Sequence, residues 1–211
     1  FVDTFLKLYP DVAVILNVDA DHLDYFGTLE NVIKYFHKYA EKASRTVIYN
    51  GNDSNTRKAV EGISGKEMIT FGNTPDCDYY AAQVQHVSGM ETHFTAMHHD
   101  KPMGEIVLHV AGVHNVLNAM AAIAAADHAG VPFDAIQKGL CEFRGAGRRF
   151  EKVAQVGGIT VVDDYAHHPA ELTVTLNAAK EMGYRHVWAV FQPFTFSRTA
   201  MLLDDFAKAL S

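Results

Sequence analysis

Apolar residues at the start of the chain alternate between short continuous runs and helical spacing. Near-continuous apolar runs lie at residues 11–18 and 46–50, and segments of helical character follow at 28–43 and 52–61. In the 28–43 segment the apolar residues recur every three or four positions, which predicts an amphipathic helix. Buried strands that alternate with helices indicate parallel βαβ units, so we expect an α/β fold here.

The pattern changes after Gly65, where short apolar runs are broken by Gly, Asn, Asp and Pro. Such runs are typical of strands joined by tight turns, so we predict an antiparallel β segment. The predicted strands are 68–72, 79–87, 92–97 and 105–110. Helices are predicted to follow at 112–130 and 133–143.

The segment 144–149 is rich in glycine and arginine, and strand–helix alternation restarts after it. We therefore predict a domain boundary here, with a first domain at 1–146 and a second at 147–211. The elements predicted in the second domain are paired strands at 151–156 and 159–163, helices at 170–182 and 200–210, and a strand at 186–192.

Composition narrows the class of protein. A chain of 211 residues with 48% hydrophobic and 20% charged residues is typical of one large or two modest globular domains. A net charge of -7 offers no basic surface for a phosphate backbone, so we expect no nucleic-acid partner. The longest apolar run, 119–126, is too short to span a bilayer, so we expect no membrane partner.

Two further features bear on the chain's context. Cys77 and Cys141 lack the spacing of a disulfide framework or a zinc knuckle, which favours a reducing, cytoplasmic compartment. The chain begins with Phe1, has no signal-peptide layout, and ends after a predicted amphipathic helix. We expect it to be a piece of a longer protein, and the sequence leaves its oligomeric state open.

Titratable residues gather after two predicted strands. Residues 19–24 hold three carboxylates and His22, and residues 163–168 hold two carboxylates and two histidines, directly before Pro169. Pro is favoured at the first position of a helix, so the second group lies between a strand end and a helix start. That edge of an open α/β sheet is where ligands bind. A single such residue would be read as a helix cap, but this density favours a site.

The chemistry of these groups points to phosphate. Carboxylate and imidazole suit Mg²⁺ when substrate phosphates share its coordination. Arg148 and Arg149, at the predicted boundary, suit phosphate oxygens through charge-assisted hydrogen bonds. The start of the 112–130 helix carries His114, Asn115 and Asn118, and such amides can bond a purine edge. Together these residues indicate phosphoryl transfer in a cleft that closes between two domains.

Four motifs, in order and spread over almost the whole chain, resemble the Mur ligase family. They are Asn-Val-Asp-Ala-Asp-His-Leu-Asp-Tyr at 17–25, Gly-Val-His-Asn-Val-Leu-Asn-Ala at 112–119, Gly-Arg-Arg-Phe-Glu at 147–151, and Asp-Asp-Tyr-Ala-His-His-Pro at 163–169. The last block, with the Phe-Gln-Pro and Ser-Arg-Thr runs within 191–199, is most similar to the branch that joins L-alanine to UDP-N-acetylmuramate.

The resemblance implies part of a P-loop-type central ATPase domain with an antiparallel β segment, followed by the first half of a Rossmann-like C-terminal domain. It implies a cytoplasmic enzyme of peptidoglycan precursor synthesis. ATP would phosphorylate the muramate carboxylate, because a free carboxylate is a poor acylating agent. The amine of L-alanine would then attack the acyl phosphate.

The resemblance also implies roles for individual residues. His22 would bind Mg²⁺, Arg149 would hold the terminal phosphate with help from Arg148, and Asp164 would bind the ribose. The other expected contacts are the adenine with Asn115 and Asn118, near His114, and the incoming amino acid with His167 and His168.

The chain departs from the family pattern in three places. It has no G-x-x-x-x-G-K-[ST] phosphate loop, and the family's N-terminal domain and the end of its C-terminal domain have no counterpart, so we expect these 211 residues not to catalyse alone. Phe36 or His37 stands where several relatives carry a modified lysine, which favours the alanine-adding branch. Phe194 stands where the Phe-Gln-Pro motif usually continues with histidine.

Three alternatives stay open. One is the recycling ligase of the same family, which attaches a whole peptide to muramate. Another is a dinuclear metal hydrolase built on Asp19, Asp21, His22 and Asp24. The third is a nucleotide-binding module that has kept the fold and lost the chemistry.

Overall fold

The computed structural model describes residues 3–88, 90–110 and 112–211, apart from the side chains of Asp24, Ser88 and Ser197. The chain forms two compact units. The first holds the described residues up to Val84 with Phe94–Ile106 and Val116–Gly139, and the second holds those of Gln85–His93, Val107–Asn115 and Leu140–Ser211. The predicted boundary at 146/147 stays a prediction.

A six-stranded sheet forms the larger of the two sheets in the described chain. Its strands lie in sequence order: β1 (Val12–Ile15), β2 (Thr46–Asn50), β3 (Glu67–Gly72), β4 (Tyr79–Ser88), β5 (Glu91–His98) and β6 (Lys101–Leu108). The pairs β1–β2 and β2–β3 are parallel, with Val14 opposite Ile48 and Ile48 opposite Ile69. The predicted α/β fold with a parallel sheet is therefore confirmed.

The prediction that the antiparallel segment begins at β3 is wrong. β3 and β4 pair in parallel, through Phe71 with Tyr79 and Gly72 with Tyr80. Only the end of β3 and the start of β4 overlap, so the short connection can place β4 alongside without reversing the chain. By contrast, β5 and β6 are joined by His99 and Asp100, whose φ values of 45° and 62° suit a two-residue antiparallel hairpin turn.

The helices that cover the sheet begin at the residues their sequences favour. Thr28 caps α2 by accepting a hydrogen bond from the N–H of Asn31, and Asp53 caps α3 by accepting one from the N–H of Thr56. The apolar face of α2 packs with β1 and β2 in a core that includes the fully buried Ala13, Ala40 and Val47. A 3-10 helix at Thr4–Lys7 precedes the helices α1 (Leu23–Phe26), α2 (Leu29–Lys42), α3 (Ser54–Val60), α4 (Val113–His128) and α5 (Phe133–Glu142).

The second unit contains a two-stranded antiparallel sheet. β7 (Glu151–Val156) and β8 (Ile159–Asp163) pair as predicted, with Val156 opposite Ile159. Three helices follow: α6 (Pro169–Glu181), α7 (Phe196–Met201) and α8 (Leu203–Leu210). The single helix predicted at 200–210 is wrong, because Leu202 leaves the helical conformation with φ −115° and ψ 23°.

The strand predicted at 186–192 is also wrong, since this segment has no regular secondary structure. A strand needs a hydrogen-bonded neighbour, and the sheets of the described chain contain no strand beyond β8. Trp188 is 90% exposed and Val190 fully exposed, while Phe191 stacks on Phe206. None of the helices in the described ranges is long and apolar enough to cross a membrane.

Candidate functional site

The loop after β1 is anchored by the start of α3. The N–H of Val18 donates to Asp53 Oδ1 at 3.4 Å, and the carbonyl of Val18 accepts from Asn55 Nδ2 at 3.0 Å. Val18 itself is 2% exposed. The backbone of this loop is therefore held by residues outside the acidic cluster that follows it.

The cluster after β1 satisfies its own backbone and exposes its side chains. Asp19 Oδ1 accepts from the N–H of Ala20, and Asp21 Oδ1 accepts from the N–H of His22, each at 2.7 Å. His22 Nε2 lies 3.6 Å from Asp21 Oδ2, with the two side chains 47% and 54% exposed. His22 also has a φ of 53°, in the left-handed region that residues other than glycine seldom adopt.

The loop after β1 can supply only part of the ligands that a metal ion needs. Within the described residues, no group of three or more His, Cys, Asp or Glu side chains is placed to hold a metal. The dinuclear site on Asp19, Asp21, His22 and Asp24 is thus not formed by its described members, and the Asp24 side chain lies outside the described residues. His22 and Asp21 could supply one or two ligands, which suits Mg²⁺ that takes the rest from phosphates and water.

The loop after β8 is held from within the motif. Asp164 Oδ2 accepts from the N–H of Phe150 at 2.8 Å, and Asp164 Oδ1 accepts from the N–H of Ala166 at 2.6 Å. The N–H of Tyr165 donates to the carbonyl of Arg148 at 2.8 Å. Asp164 therefore ties the segment around Arg149 to the loop that leads into α6.

The segment around Arg149 has an unusual backbone. Arg148 and Phe150 adopt φ values of 58° and 49°, which cost free energy for residues with a Cβ. The N–H of Arg148 donates to Glu151 Oε2 at 2.7 Å, and that of Phe150 donates to Asp164. These bonds hold Arg149 between two strained neighbours.

The two arginines differ in how closely they are paired. Arg148 Nε donates to Asp163 Oδ2 at 3.3 Å, and its guanidinium lies 4.9 Å from the centre of the Tyr165 ring. Arg149 makes a looser ion pair, with Nη1 3.8 Å from Glu171 Oε1 and its side chain 60% exposed. Arg149 can therefore turn toward an anion at a lower cost than Arg148.

Glu171 is a residue that the sequence interpretation missed. Its Oε2 accepts from the N–H groups of His167 at 2.9 Å and His168 at 3.2 Å. With His168 as N-cap, Glu171 completes a capping box at the start of α6. The signal was present in the sequence as a glutamate three residues after the residue that precedes the helix.

His114 belongs to the same unit as the loop after β8, and the charges of Asp164 and Arg149 act on its ring. Its ring folds back over Gly112, where an added Cβ would lie 2.5 Å from His114 Cε1. This partial burial lowers the pKa of His114, while the negative charge of Asp164 opposes the fall and Arg149 adds to it. The structure thus brings His114 close to Asp164 and Arg149. Asn115 and Asn118 lie in the first turns of α4.

The second unit also contains a cavity of about 1330 Å³. It is lined by β8, by the loop 164–167 and by the irregular segment 184–194. His167, Trp188 and Phe194 are among its lining side chains. Seven of the predicted site residues lie in this unit, whereas His22 and Asn118 lie in the first unit. The seven are His114, Asn115, Arg148, Arg149, Asp164, His167 and His168.

The fold is that of an α/β protein in which two strand ends carry acidic and imidazole side chains, and the end of β8 also lies beside two exposed arginines. Residues 2–126 match the Mur ligase middle domain, and residues 148–211 match the family model described as Mur ligase, glutamate ligase domain. The chain belongs to the Mur ligase family, a family of ATP-dependent ligases.

Individual relatives show which ligases of the family the chain is similar to. The UDP-N-acetylmuramate–L-alanine ligase of Caldanaerobacter subterraneus is 40% identical over 211 residues, covering 99% of this chain and 46% of the relative. The solved UDP-N-acetylmuramate–alanine ligase of Thermotoga maritima is 30% identical with a TM-score of 0.80, covering 100% of this chain and 46% of that one. A murein peptide ligase of Psychrobacter arcticus is 27% identical with a TM-score of 0.64, over 90% and 39%. The chain thus spans about half the length of these relatives.

Proposed function

We propose that this chain forms the middle part of a cytoplasmic UDP-N-acetylmuramate–L-alanine ligase, an enzyme that uses ATP and Mg²⁺. The observation that carries the proposal is agreement with alanine ligases over the entire chain, in sequence and in fold. The peptide-adding relative agrees less well in fold and over less of the chain. We therefore rank the alanine-adding reaction above the recycling reaction.

The geometry of the second unit supports a phosphate-binding role for Arg149. Its guanidinium is exposed and only loosely paired with Glu171, so a phosphate could replace that carboxylate as its partner. Arg148, stacked on Tyr165 and bonded to Asp163, would keep the segment in place. Stabilising charge that develops on the transferred phosphoryl group is the main contribution a protein makes to such reactions.

Nucleotide binding would involve His114 and Asp164. A lowered pKa keeps the His114 ring neutral near pH 7, so the ring would not repel a donor group on the adenine. Each carboxylate oxygen of Asp164 accepts one backbone N–H, and each has a second lone pair that could accept from a ribose hydroxyl. Asn115 and Asn118 would contribute amide groups from α4 to the purine edge.

Mg²⁺, when bound, would neutralise phosphate charge and polarise the transferred group. His22 would supply an imidazole ligand from the loop after β1, with Asp21 beside it. The exposure of both side chains is consistent with an ion shared between protein and substrate.

The test is a ligation assay on the full-length enzyme with ATP, Mg²⁺ and UDP-N-acetylmuramate. Parallel reactions contain L-alanine, a tripeptide or no acceptor, and phosphate release is measured. Release that depends on L-alanine would support the proposal, and release with the tripeptide alone would identify the recycling reaction instead. No release with either acceptor would leave a nucleotide-binding module. The 211-residue chain, assayed alone, is expected to show no ligation.

A further inference from the structure

The two adjacent histidines before α6 use their ring nitrogens in opposite ways. His167 Nδ1 lies 2.8 Å from the carbonyl oxygen of Tyr165 and 3.5 Å from Glu171 Oε2. A carbonyl and a carboxylate oxygen only accept hydrogen bonds, so Nδ1 of His167 carries the proton. In the neutral ring the lone pair is therefore on Nε2.

His168 has the other tautomer. Its Nδ1 accepts a hydrogen bond from the N–H of Ala170 at 3.4 Å, so this nitrogen holds the lone pair. That bond caps α6 in place of the usual Ser, Thr, Asp or Asn. The Nδ1 lone pair of His168 therefore accepts a hydrogen bond from the first turn of α6. The lone pair of His167 is on Nε2 instead, because its Nδ1 contacts Tyr165 and Glu171.

The surroundings of His167 suit an imidazole that gains and loses a proton. The side chain is 27% exposed and lines the cavity of the second unit, with Tyr165 and Phe194 as ring neighbours. Glu171 is held in place by the backbone N–H groups of His167 and His168. A protonated His167 ring would have that carboxylate 3.5 Å from Nδ1, which stabilises its positive charge.

The reaction proposed above needs such a group. An amino acid at neutral pH presents an ammonium group, which has no lone pair and cannot attack an acyl phosphate. Proton removal by a positioned side chain accelerates reactions of this kind by about 10²–10⁴-fold. His is the side chain whose ordinary pKa suits this transfer near neutral pH.

We propose that His167 accepts the proton from the amine of the incoming amino acid, and that Glu171 is its positioning residue; this inference rests on the proposed function. The ammonium gives one proton to His167 Nε2. The amine lone pair then forms the C–N bond at the acyl carbon, while the C–O bond to phosphate breaks and its electron pair leaves with phosphate. The second amine proton goes to the departing phosphate, and His167 releases its proton to solvent.

The test replaces L-alanine with a nucleophile that needs no base. Hydroxylamine is largely neutral near pH 7.5 and traps acyl phosphates as hydroxamates, so it reports on the step before amine attack. The full-length wild type, His167→Gln and His186→Gln are compared for L-alanine ligation and for hydroxamate formation. His186 is a matched control, because it lines the same cavity but lies outside the loop 164–167.

We expect His167→Gln to lose L-alanine ligation by about 10²-fold or more, while its hydroxamate formation stays within about twofold of wild type. Its remaining ligation should rise with pH as free amine accumulates, and added imidazole should restore ligation in His167→Ala. His186→Gln should retain both reactions. Retained hydroxamate formation also shows that the variant is folded.

The positioning role of Glu171 has its own variant. Glu171→Gln keeps an oxygen for the two backbone N–H groups but removes the charge beside His167. Because the carboxylate charge that would face the protonated ring is gone, kcat for L-alanine should fall about tenfold with KM nearly unchanged. A fall in hydroxamate formation of the same size would assign Glu171 a purely structural role.

The outcomes separate the two proposals. If wild type forms hydroxamate and ligates L-alanine, while His167→Gln loses both reactions or neither, the proton-acceptor role is overturned and the proposed function stands. If wild type forms neither product, the proposed function is overturned and the role of His167 with it.

Discussion

The two loops that carry acidic and imidazole side chains are similar in composition and different in construction. After β1, the backbone of Val18 is held by Asp53 and Asn55 at the start of α3, and Asp21 and His22 are about half exposed. After β8, the motif residue Asp164 itself holds the loop through both carboxylate oxygens. In the first loop the residues that hold the backbone differ from those proposed to bind a ligand, whereas in the second loop Asp164 is proposed to do both.

This difference sets the expected cost of mutation. A side chain in the first loop can be replaced with little effect on folding, because its neighbours' backbone is satisfied locally or from α3. Removing Asp164 leaves the N–H groups of Phe150 and Ala166 without their acceptor. Since Phe150 also has a positive φ, the segment around Arg149 would lose its conformation.

The largest effect should come from Asp164→Ala in the full-length enzyme. Two hydrogen bonds to a charged group are lost, so the free energy of unfolding should fall by about 2–4 kcal/mol, and ligation by about 10²-fold or more. Denaturant titration and the ligation assay measure the two effects. The control is Asp163→Asn, which breaks only an exposed pair with Arg148 and should cost less than about 1 kcal/mol. Equal costs for the two variants would contradict the assigned scaffold role.

Changing His22 should affect the Mg²⁺ requirement of ligation and leave the stability of the fold nearly unchanged. His22→Asn keeps a residue that tolerates the left-handed φ of 53°, so the free energy of unfolding should change by less than about 0.5 kcal/mol. The Mg²⁺ concentration needed for half-maximal ligation should rise about tenfold, as expected when a metal ligand is lost. His37→Gln, on α2, is the control for a general effect of removing a histidine. Lower stability with an unchanged Mg²⁺ requirement would remove His22 from the metal site.

Asp53→Ala tests whether the residues that hold the backbone of the first loop also support its function. The variant removes the cap of α3 and one anchor of Val18, so the free energy of unfolding should fall by about 1–2 kcal/mol. Thr28→Ala removes the cap of α2, which is separate from the hydrogen bonds of Val18 with Asp53 and Asn55, and should cost a similar amount. Only Asp53→Ala should also raise the Mg²⁺ concentration needed for half-maximal ligation. If both variants leave the Mg²⁺ requirement unchanged, the anchor does not support the loop's function.

The smallest effect concerns pH. Burial lowers the pKa of His114 in the folded chain, so the unfolded chain binds the proton more readily. Stability from the neutral ring is present above the ordinary histidine pKa and is lost as pH falls from there through the lowered folded value. His114→Gln should therefore flatten the dependence of stability on pH in this range. Denaturant midpoints measured at several pH values would show it, and an unchanged slope would rule out this contribution.

Local patterns predicted the elements well where helix caps and periodicity agree. Thr28 and the apolar spacing placed α2, and Pro169 placed the start of α6 within the loop that carries the histidines. The parallel pairing of β3 with β4 was missed, because pairing direction depends on where the chain returns, which no local pattern records. The strand at 186–192 was wrong for a related reason, since an apolar run forms a strand only beside a partner.

The candidate site shows a similar limit. The chemical character of Asp164, His167 and His168 could be read from composition, and the family resemblance suggested their ligands. The different roles of these residues depend on contacts of individual atoms, which the sequence does not show. They depend on which oxygen of Asp164 accepts from which N–H, and on which nitrogen of each histidine carries a proton. Glu171 was overlooked, although a glutamate three residues after the N-cap is the sequence pattern of a capping box.

The exposed segment after α6 gives the molecule an optical reporter. Trp188 is the only tryptophan in the chain, it is 90% exposed, and it lines the same cavity as His167. Indole emission moves to shorter wavelength when water is excluded, so the chain's intrinsic fluorescence reports on this one surface. Any ligand or polypeptide that covers the cavity could be followed without a label, in real time and at low protein concentration.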